Sequence, residues 1–277
     1  MARTLRILFI GDLVGMAGLE TLTAYLPGLI AEYKSDCVIV NGENIVNGKG
    51  LSEKEADVIF GLGAHVVTTG NHVWENWKAR PLLSKNPKVL RPLNYPPNNP
   101  GNGSVVVELP DGRKVAVLHL QGRVFMQPID CPFRAAEKAL PRLQAETNII
   151  FVDMHAEATA EKMALANFLD GKVSALVGTH THVQTADARI MPRGTAYLTD
   201  VGMTGPYDSV LGMRTDIALR RFLLQTPHKY ESATNDLRIC GVHVEVDEQS
   251  GAALEIATIM RPEMMRVRDA SAGMPRI

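Results

Sequence analysis

Five times in this chain a short apolar run, rich in β-branched residues, ends abruptly in side chains that can bind a metal ion. Leu5 to Ile10 runs into Gly11-Asp12, Cys37 to Val40 into Asn41-Gly42-Glu43-Asn44, and His65 to Thr69 into Gly70-Asn71-His72. Further on, Asn148 to Val152 runs into Asp153-Met154-His155, and Val173 to Val177 into Gly178-Thr179-His180-Thr181-His182. Runs of this length and composition read as buried strands. Helical patterns between the first three make a β-loop-α alternation, which predicts a parallel sheet covered on both faces with ligands gathered at the strands' carboxyl ends. A polar loop at a sheet edge explains any one of these histidine pairs as well as ligation does. The repetition decides for a metal centre, since neutral imidazole is the commonest nitrogen ligand of transition metals.

The intervening segments follow the same logic. Leu22, Leu26, Leu29 and Ile30 recur at helical spacing within 19–33, although Pro27 should bend or divide that helix. Ser52 with Glu55 reads as a capping box for a helix through Phe60, and Gly61-Leu62-Gly63 as its C-cap. Residues 81–103, rich in Pro and Asn, are expected to form an ordered surface excursion. Val105 to Leu109 and Lys114 to Leu120 should pair as a hairpin about Pro110-Asp111-Gly112-Arg113. Helices are expected over 134–146 and 158–169 and a strand over 195–199. An antiparallel pair is expected over 238–246 and 252–260, and a loose tail from Ser271.

With 277 residues, 45% of them hydrophobic, the chain can build one sizeable α/β core, and no linker divides it, so a single domain over 1–277 is expected. A formal net charge of −1 gives no sign of an extended nucleic-acid groove, although a local basic pocket remains open. Cys37, Cys131 and Cys240 are scattered and odd in number, which fits a reducing cytosol better than a disulfide framework. The apolar stretch at the start is too short for a signal peptide and no later stretch reaches spanning length, so the expected location is cytoplasmic, with no membrane partner.

The candidate ligands are Asp12, Glu43, Asn44, Asn71, His155, His180 and His182, with His72 beside them. They are too many for one tetrahedral zinc but suit two adjacent ions that share a carboxylate. The oxygen and nitrogen mixture, without thiolate, favours iron or manganese, with zinc the alternative. Two divalent ions bring about four positive charges against the carboxylates of Asp12 and Glu43, so the pocket stays electropositive and attracts a phosphate ester. Paired ions suit in-line displacement at phosphorus because they generate a hydroxide nucleophile and neutralise charge on the transferring group.

Asp12, Gly42-Glu43-Asn44, Gly70-Asn71-His72, His155 and Gly178-Thr179-His180-Thr181-His182 resemble, in the same order, the motifs of the calcineurin-like metallophosphoesterases. More narrowly, Gly-Asp-Leu-Val-Gly from Gly11, Asn-Gly-Glu-Asn from Asn41, Gly-Asn-His-Val-Trp from Gly70, Asp-Met-His-Ala-Glu from Asp153 and Thr-Asp-Val-Gly-Met-Thr-Gly-Pro-Tyr-Asp-Ser-Val from Thr199 are similar to the YmdB-type subfamily. The resemblance covers nearly the whole chain. It implies a four-layer α/β/β/α sandwich, two metal ions, and hydrolysis of small phosphodiesters such as 2′,3′-cyclic nucleotides. It further implies that Asp12, Glu43, Asn44 and His182 hold the first ion, and that Glu43, Asn71, His155 and His180 hold the second, with Glu43 bridging. His72 would be the proton donor to the leaving oxygen, although a role in orienting a ligand is the alternative from its position alone.

Two departures from the wider superfamily stand out. The usual Asp-x-His is here Asp12-Leu13-Val14, so one histidine is lost, and the usual bridging aspartate is Glu43. The resemblance implies that Asn44 replaces the lost ligand.

A phosphomonoesterase, a broad-specificity nuclease and a regulatory protein that senses a phosphorylated ligand with incidental hydrolysis remain the alternatives, and a homo-oligomer is compatible with all of them. His65, His119, His228 and His243 are expected to be packed or solvated. Arg123 and Arg214 are expected in surface salt bridges rather than on phosphate. Met203, Thr204, Tyr207 and Asp208 either border the substrate pocket or serve a glycine-punctuated turn.

Overall fold

The computed structural model describes residues 3–263. The strands are β1 (Thr4–Ile10), β2 (Cys37–Asn41), β3 (Val66–Thr68), β4 (Val89–Leu90), β5 (Ser104–Glu108), β6 (Lys114–Gln121) and β7 (Ile150–His155). They continue as β8 (Ala175–Thr179), β9 (Arg189–Ile190), β10 (Ala196–Leu198), β11 (Gly205–Pro206), β12 (Leu237–Asp247) and β13 (Ala253–Arg261). The helices are α1 (Gly15–Tyr33), α2 (Glu53–Gly61), α3 (Ala79–Lys85), α4 (Pro132–Gln144), α5 (Thr159–Leu169) and α6 (Thr215–Leu224).

One sheet runs β11-β12-β1-β2-β3-β4, with β13 paired to β12, and the other runs β5-β6-β7-β8-β10-β9. In the first, β1 to β4 are mutually parallel. In the second, β6, β7, β8 and β10 are. Alternation along each strand sends side chains to opposite faces and builds three separate apolar layers. Leu5, Ile7 and Phe9 of β1 join Val117, Phe151 and Val177 in the seam between the sheets. There the rings of Phe9 and Phe151 stack with centroids 5.2 Å apart. Leu8 and Ile10 face the other way and pack under α1 and α2 through Leu22, Leu26 and Ile59. On the far side, Ile150, Val152 and Met154 of β7 lie beneath α4 and α5 through Leu140, Leu143 and Leu165. The result is the expected α/β/β/α order.

Local expectations fared unevenly. α1 runs unbroken through Pro27. Pro27 is exposed, so the carbonyl that its missing N–H leaves free can turn to water, while Leu19, Leu22, Leu26 and Leu29 keep one continuous buried stripe. Ser52 does precede α2, but its hydroxyl pairs with the Glu55 carboxylate rather than with a backbone amide, so the capping box is incomplete. The C-cap forms as read, with Gly63 at φ 103 and Ala64 N–H donating to the Ile59 carbonyl. The segment 81–103 is not mere excursion: it carries most of α3 and all of β4. The hairpin β5–β6 and the pair β12–β13 form as expected. The tail from Ser271 lies outside the described residues.

Candidate metal centre

The parallel strands of both sheets end at one edge of the sandwich, and the loops that follow them meet there. Asp12 follows β1, Glu43 and Asn44 follow β2, and Asn71 follows β3; His155 ends β7, and His180 and His182 follow β8. Asp12, Glu43 and His155 are wholly buried and present one ligand atom each within 4.8 Å of the others. Nε2 of His155 is 2.9 Å from Oε2 of Glu43, 2.9 Å from Oδ1 of Asn71 and 3.1 Å from Nδ1 of His180. Nε2 of His182 lies 3.2 Å from the amide of Asn44. All seven candidate ligands are thus brought to one place.

Each of the three histidines is held from behind. Nδ1 of His155 is 3.0 Å from the Thr179 hydroxyl, which donates to Oδ1 of Asp153 at 2.8 Å. Nε2 of His180 is 3.2 Å from the Glu157 carboxylate, and Nδ1 of His182 is 3.1 Å from the Leu211 carbonyl. In each ring one nitrogen is thus turned outward to a partner and the other inward to the centre, the orientation that metal-ligating imidazoles adopt.

The oxygens test whether ions fit. Oδ1 of Asp12 and Oδ1 of Asn44 are buried without a hydrogen-bond partner among the described residues, and Oε2 of Glu43 meets only Nε2 of His155. Stranding polar atoms, one of them on a carboxylate, costs roughly 1–3 kcal/mol for each neutral group and more for a charged one unless something compensates. Cations placed among these oxygens and the inward ring nitrogens would compensate, so the donor set suits a metal site. Gly70 leaves the room: a Cβ there would lie 2.5 Å from Oε1 of Glu43 and beside Nε2 of His155.

Without metal the charges rearrange around protons. Burial works against charging His155, but the Glu43 carboxylate outweighs it and raises the imidazole to about 9. Burial likewise opposes the charge on Glu43, and His155 overcomes it, lowering the carboxyl to about 2. Burial, then the neighbouring His155, lowers His180 to about 3. Asp12 is raised to about 6, chiefly by burial, against the pull of His182 and His155. In the metal-free state the centre is a Glu43–His155 ion pair with a neutral His180 beside it.

His72 sits at the rim of the cleft. Its backbone N–H donates to Oε1 of Glu43 at 2.6 Å and its Nδ1 is 2.5 Å from the Glu75 carboxylate, which also receives Lys49. The side chain lines a cavity of about 550 Å³ together with Glu43, Asn44, His180 and His182. Its free ring nitrogen is the one available to a ligand there.

The family model described as YmdB-like protein matches residues 8–259. The chain belongs to the YmdB-like family. A Bacillus subtilis (strain 168) protein called 2′,3′-cyclic-nucleotide 2′-phosphodiesterase is 44% identical over 256 residues, 92% of this chain and 97% of that one. A Mycoplasma pneumoniae protein called putative phosphatase/phosphodiesterase is 34% identical over 94% of each chain. Among solved structures, one of a hypothetical protein from Thermus thermophilus matches with a TM-score of 0.86 and 41% identity, over 92% of this chain and 98% of that one. A structure of a novel phosphatase from Mycoplasma pneumoniae matches with a TM-score of 0.88 and 34% identity over 94% of each.

In this YmdB-like chain the structure decides between the two readings of Met203, Thr204, Tyr207 and Asp208. Of the loop after Asp200, Met203 and Thr204 are buried, and Tyr207 bonds back to the Met203 carbonyl and to Cys240. Asp208 opens on a different cavity, so turn chemistry accounts for the group. The cleft is walled instead by Val210, Leu211, Met213, Tyr230 and α6, a helix that the sequence reading passed over. Its signal was present: helix formers from Thr215 with no Gly or Pro before Pro227. Arg214 pairs with Asp216 and Glu231, as expected for a surface cation, and neither it nor Arg123 lines the cleft. His119 is buried beside Asp153, His65 accepts the Val38 amide and His243 packs on Tyr33, so these three are structural. Cys37, Cys131 and Cys240 are free thiols. No helix among the described residues is long and apolar enough to cross a membrane.

Proposed function

We propose that the chain is a two-metal phosphodiesterase that hydrolyses 2′,3′-cyclic nucleotides. The observation that carries this reading is the pair of buried Oδ1 atoms on Asp12 and Asn44 that lack a hydrogen-bond partner among the described residues, beside the Glu43 carboxylate and the inward ring nitrogens of His155, His180 and His182. Asp12, Glu43, Asn44 and His182 would hold one ion and Glu43, Asn71, His155 and His180 the other, with Glu43 shared. Iron or manganese suits these oxygen and nitrogen donors, with zinc the alternative. The ions, when bound, would supply Lewis acidity at phosphorus and a water of lowered pKa.

The remaining chemistry belongs to the protein. Ring opening adds water at phosphorus and breaks one ribose O–P bond, so the departing alkoxide needs a proton. His72 would give it, a role supported by its place in the cleft lining and by the contact of Nδ1 with Glu75, which leaves Nε2 for a ligand. The substrate class rests on the name of the Bacillus subtilis relative at 44% identity and on a cleft large enough for more than a phosphate. Free thiols at all three cysteines support a cytoplasmic setting.

The test is turnover of 2′,3′-cyclic AMP beside p-nitrophenyl phosphate and bis(p-nitrophenyl) phosphate by metal-loaded protein. Hydrolysis of the diesters is expected, and activity confined to the monoester overturns the reading.

A further inference from the structure

The cleft has a second wall that no ligand assignment uses. On α6, Ala218, Arg221, Phe222 and the following Gln225 recur at intervals of three and four residues, which puts them on one face of the helix, and all four line the cleft with Tyr230. Phe222 is 72% exposed on this face, a large ring left in water beside the candidate metal ligands. Arg221 stands next to it. The nearby acids Asp216 and Glu231 are taken by Arg214, and Arg221 makes no ion pair among the described residues. Tyr230 is set firmly: its ring lies so close over Gly48 (φ 77) that a Cβ there would strike it, and Gly48 is in the loop that also carries Glu43 and Asn44.

We propose that this face of α6, with Tyr230, is the nucleobase subsite, Phe222 stacking on the base and Arg221 with Gln225 bonding its polar edge. The inference rests on the cyclic-nucleotide reading and extends it to the part of the substrate away from the reacting phosphate. A cavity of about 550 Å³ lies within the size range of sites for whole small molecules, and a phosphate alone would leave most of it empty. An aromatic ring offers a π-face to any base, while a guanidinium and a carboxamide match the acceptors and donors on a base edge. The free cation and the exposed ring are unexplained by packing, and both turn to the same cleft as the metal-binding side chains.

The experiment compares kcat/KM for 2′,3′-cyclic AMP with that for methyl ribofuranoside 2,3-cyclic phosphate, which keeps the reacting ring and lacks the base. Wild type is expected to prefer the nucleotide. Phe222→Ala should cut that preference about tenfold, in the range of a lost base–aromatic stack, with the change carried by KM. Phe222→Trp should keep it, and Arg221→Ala should lower it independently. Both side chains are exposed, so the variants should fold as wild type does, which circular dichroism checks. An unchanged preference in Phe222→Ala, or a wild type that treats both esters alike, overturns the subsite. A wild type that hydrolyses neither ester overturns the cyclic-nucleotide reading itself and the subsite with it.

Discussion

Lys162 and Asp200 form an ion pair of 2.8 Å with both side chains shut away from solvent. The same carboxylate oxygen accepts the Thr181 amide at 3.1 Å and its hydroxyl at 2.7 Å. Thr181 stands between His180 and His182, whose φ values of 98° and 65° are unusual for residues with a side chain. Such backbone costs about 1–3 kcal/mol per residue and persists only where its surroundings hold it. Asp200 holds it from one side, and Lys162 holds Asp200 in place. Lys162→Met should therefore cost about 3–5 kcal/mol, the usual loss when one member of a buried pair is removed. It should also lower metal retention. Urea unfolding and metal analysis after gel filtration read the two effects, and a variant with the wild-type midpoint and full metal would remove this role.

Thr179 links His155 to Asp153 through its hydroxyl. Thr179→Val keeps the shape and deletes both hydrogen bonds. Loss of such outer partners commonly weakens metal binding by about 10–100-fold. Titration against a chelator of known affinity should show a drop in that range, and equal affinities would mean that packing alone orients His155.

The pH dependence of metal binding follows from the protons that the ligating side chains must release. His155 is raised to about 9, so at neutral pH it is protonated and must release that proton before its lone pair can bind an ion. Affinity should rise with pH up to about 9, roughly tenfold per unit for this one proton. Below about 6, protonation of Asp12 adds to the slope. Glu43 is lowered to about 2 and His180 to about 3, so neither contributes between pH 5 and 9. Calorimetry in buffers of different ionisation enthalpy counts the released protons directly, and an affinity flat from pH 6 to 9 would contradict the ion pair.

If His72 gives the leaving oxygen its proton, its importance depends on how badly that oxygen needs one. His72→Ala should lose about 10²–10⁴-fold in kcat on a 2′,3′-cyclic nucleotide, whose leaving group is an alkoxide. The same variant should lose far less on bis(p-nitrophenyl) phosphate, because p-nitrophenolate departs without help. Equal losses on both esters would take the proton-donor role from His72 and assign its ring to ordering the cleft rim through Glu75 instead.

The metal-binding edge was legible in the sequence because each donor directly follows or ends a buried strand, and strands that run the same way must end together. Asp12, Glu43 and Asn71 follow β1, β2 and β3 for that reason alone. What escaped was whatever depends on contacts between distant elements. Nothing local marks Lys162, on a helix of ordinary composition, as the fully buried partner of Asp200, 38 residues away. Pro27 misled because a single residue says nothing of whether its face is dry or wet. α6 carries no strand-end donor and no capping signal, only ordinary helix formers from Thr215, so its place as a wall of the cleft emerges from tertiary packing alone.

Asn71 and His155 touch across a separation of 84 positions, and they belong to opposite sheets of the sandwich. A ribosome that has released only the first sheet's early strands has therefore made half a cage. A cation that needs donors from both sheets could be held only once the second half docks, by the finished shape rather than by an unfinished polypeptide.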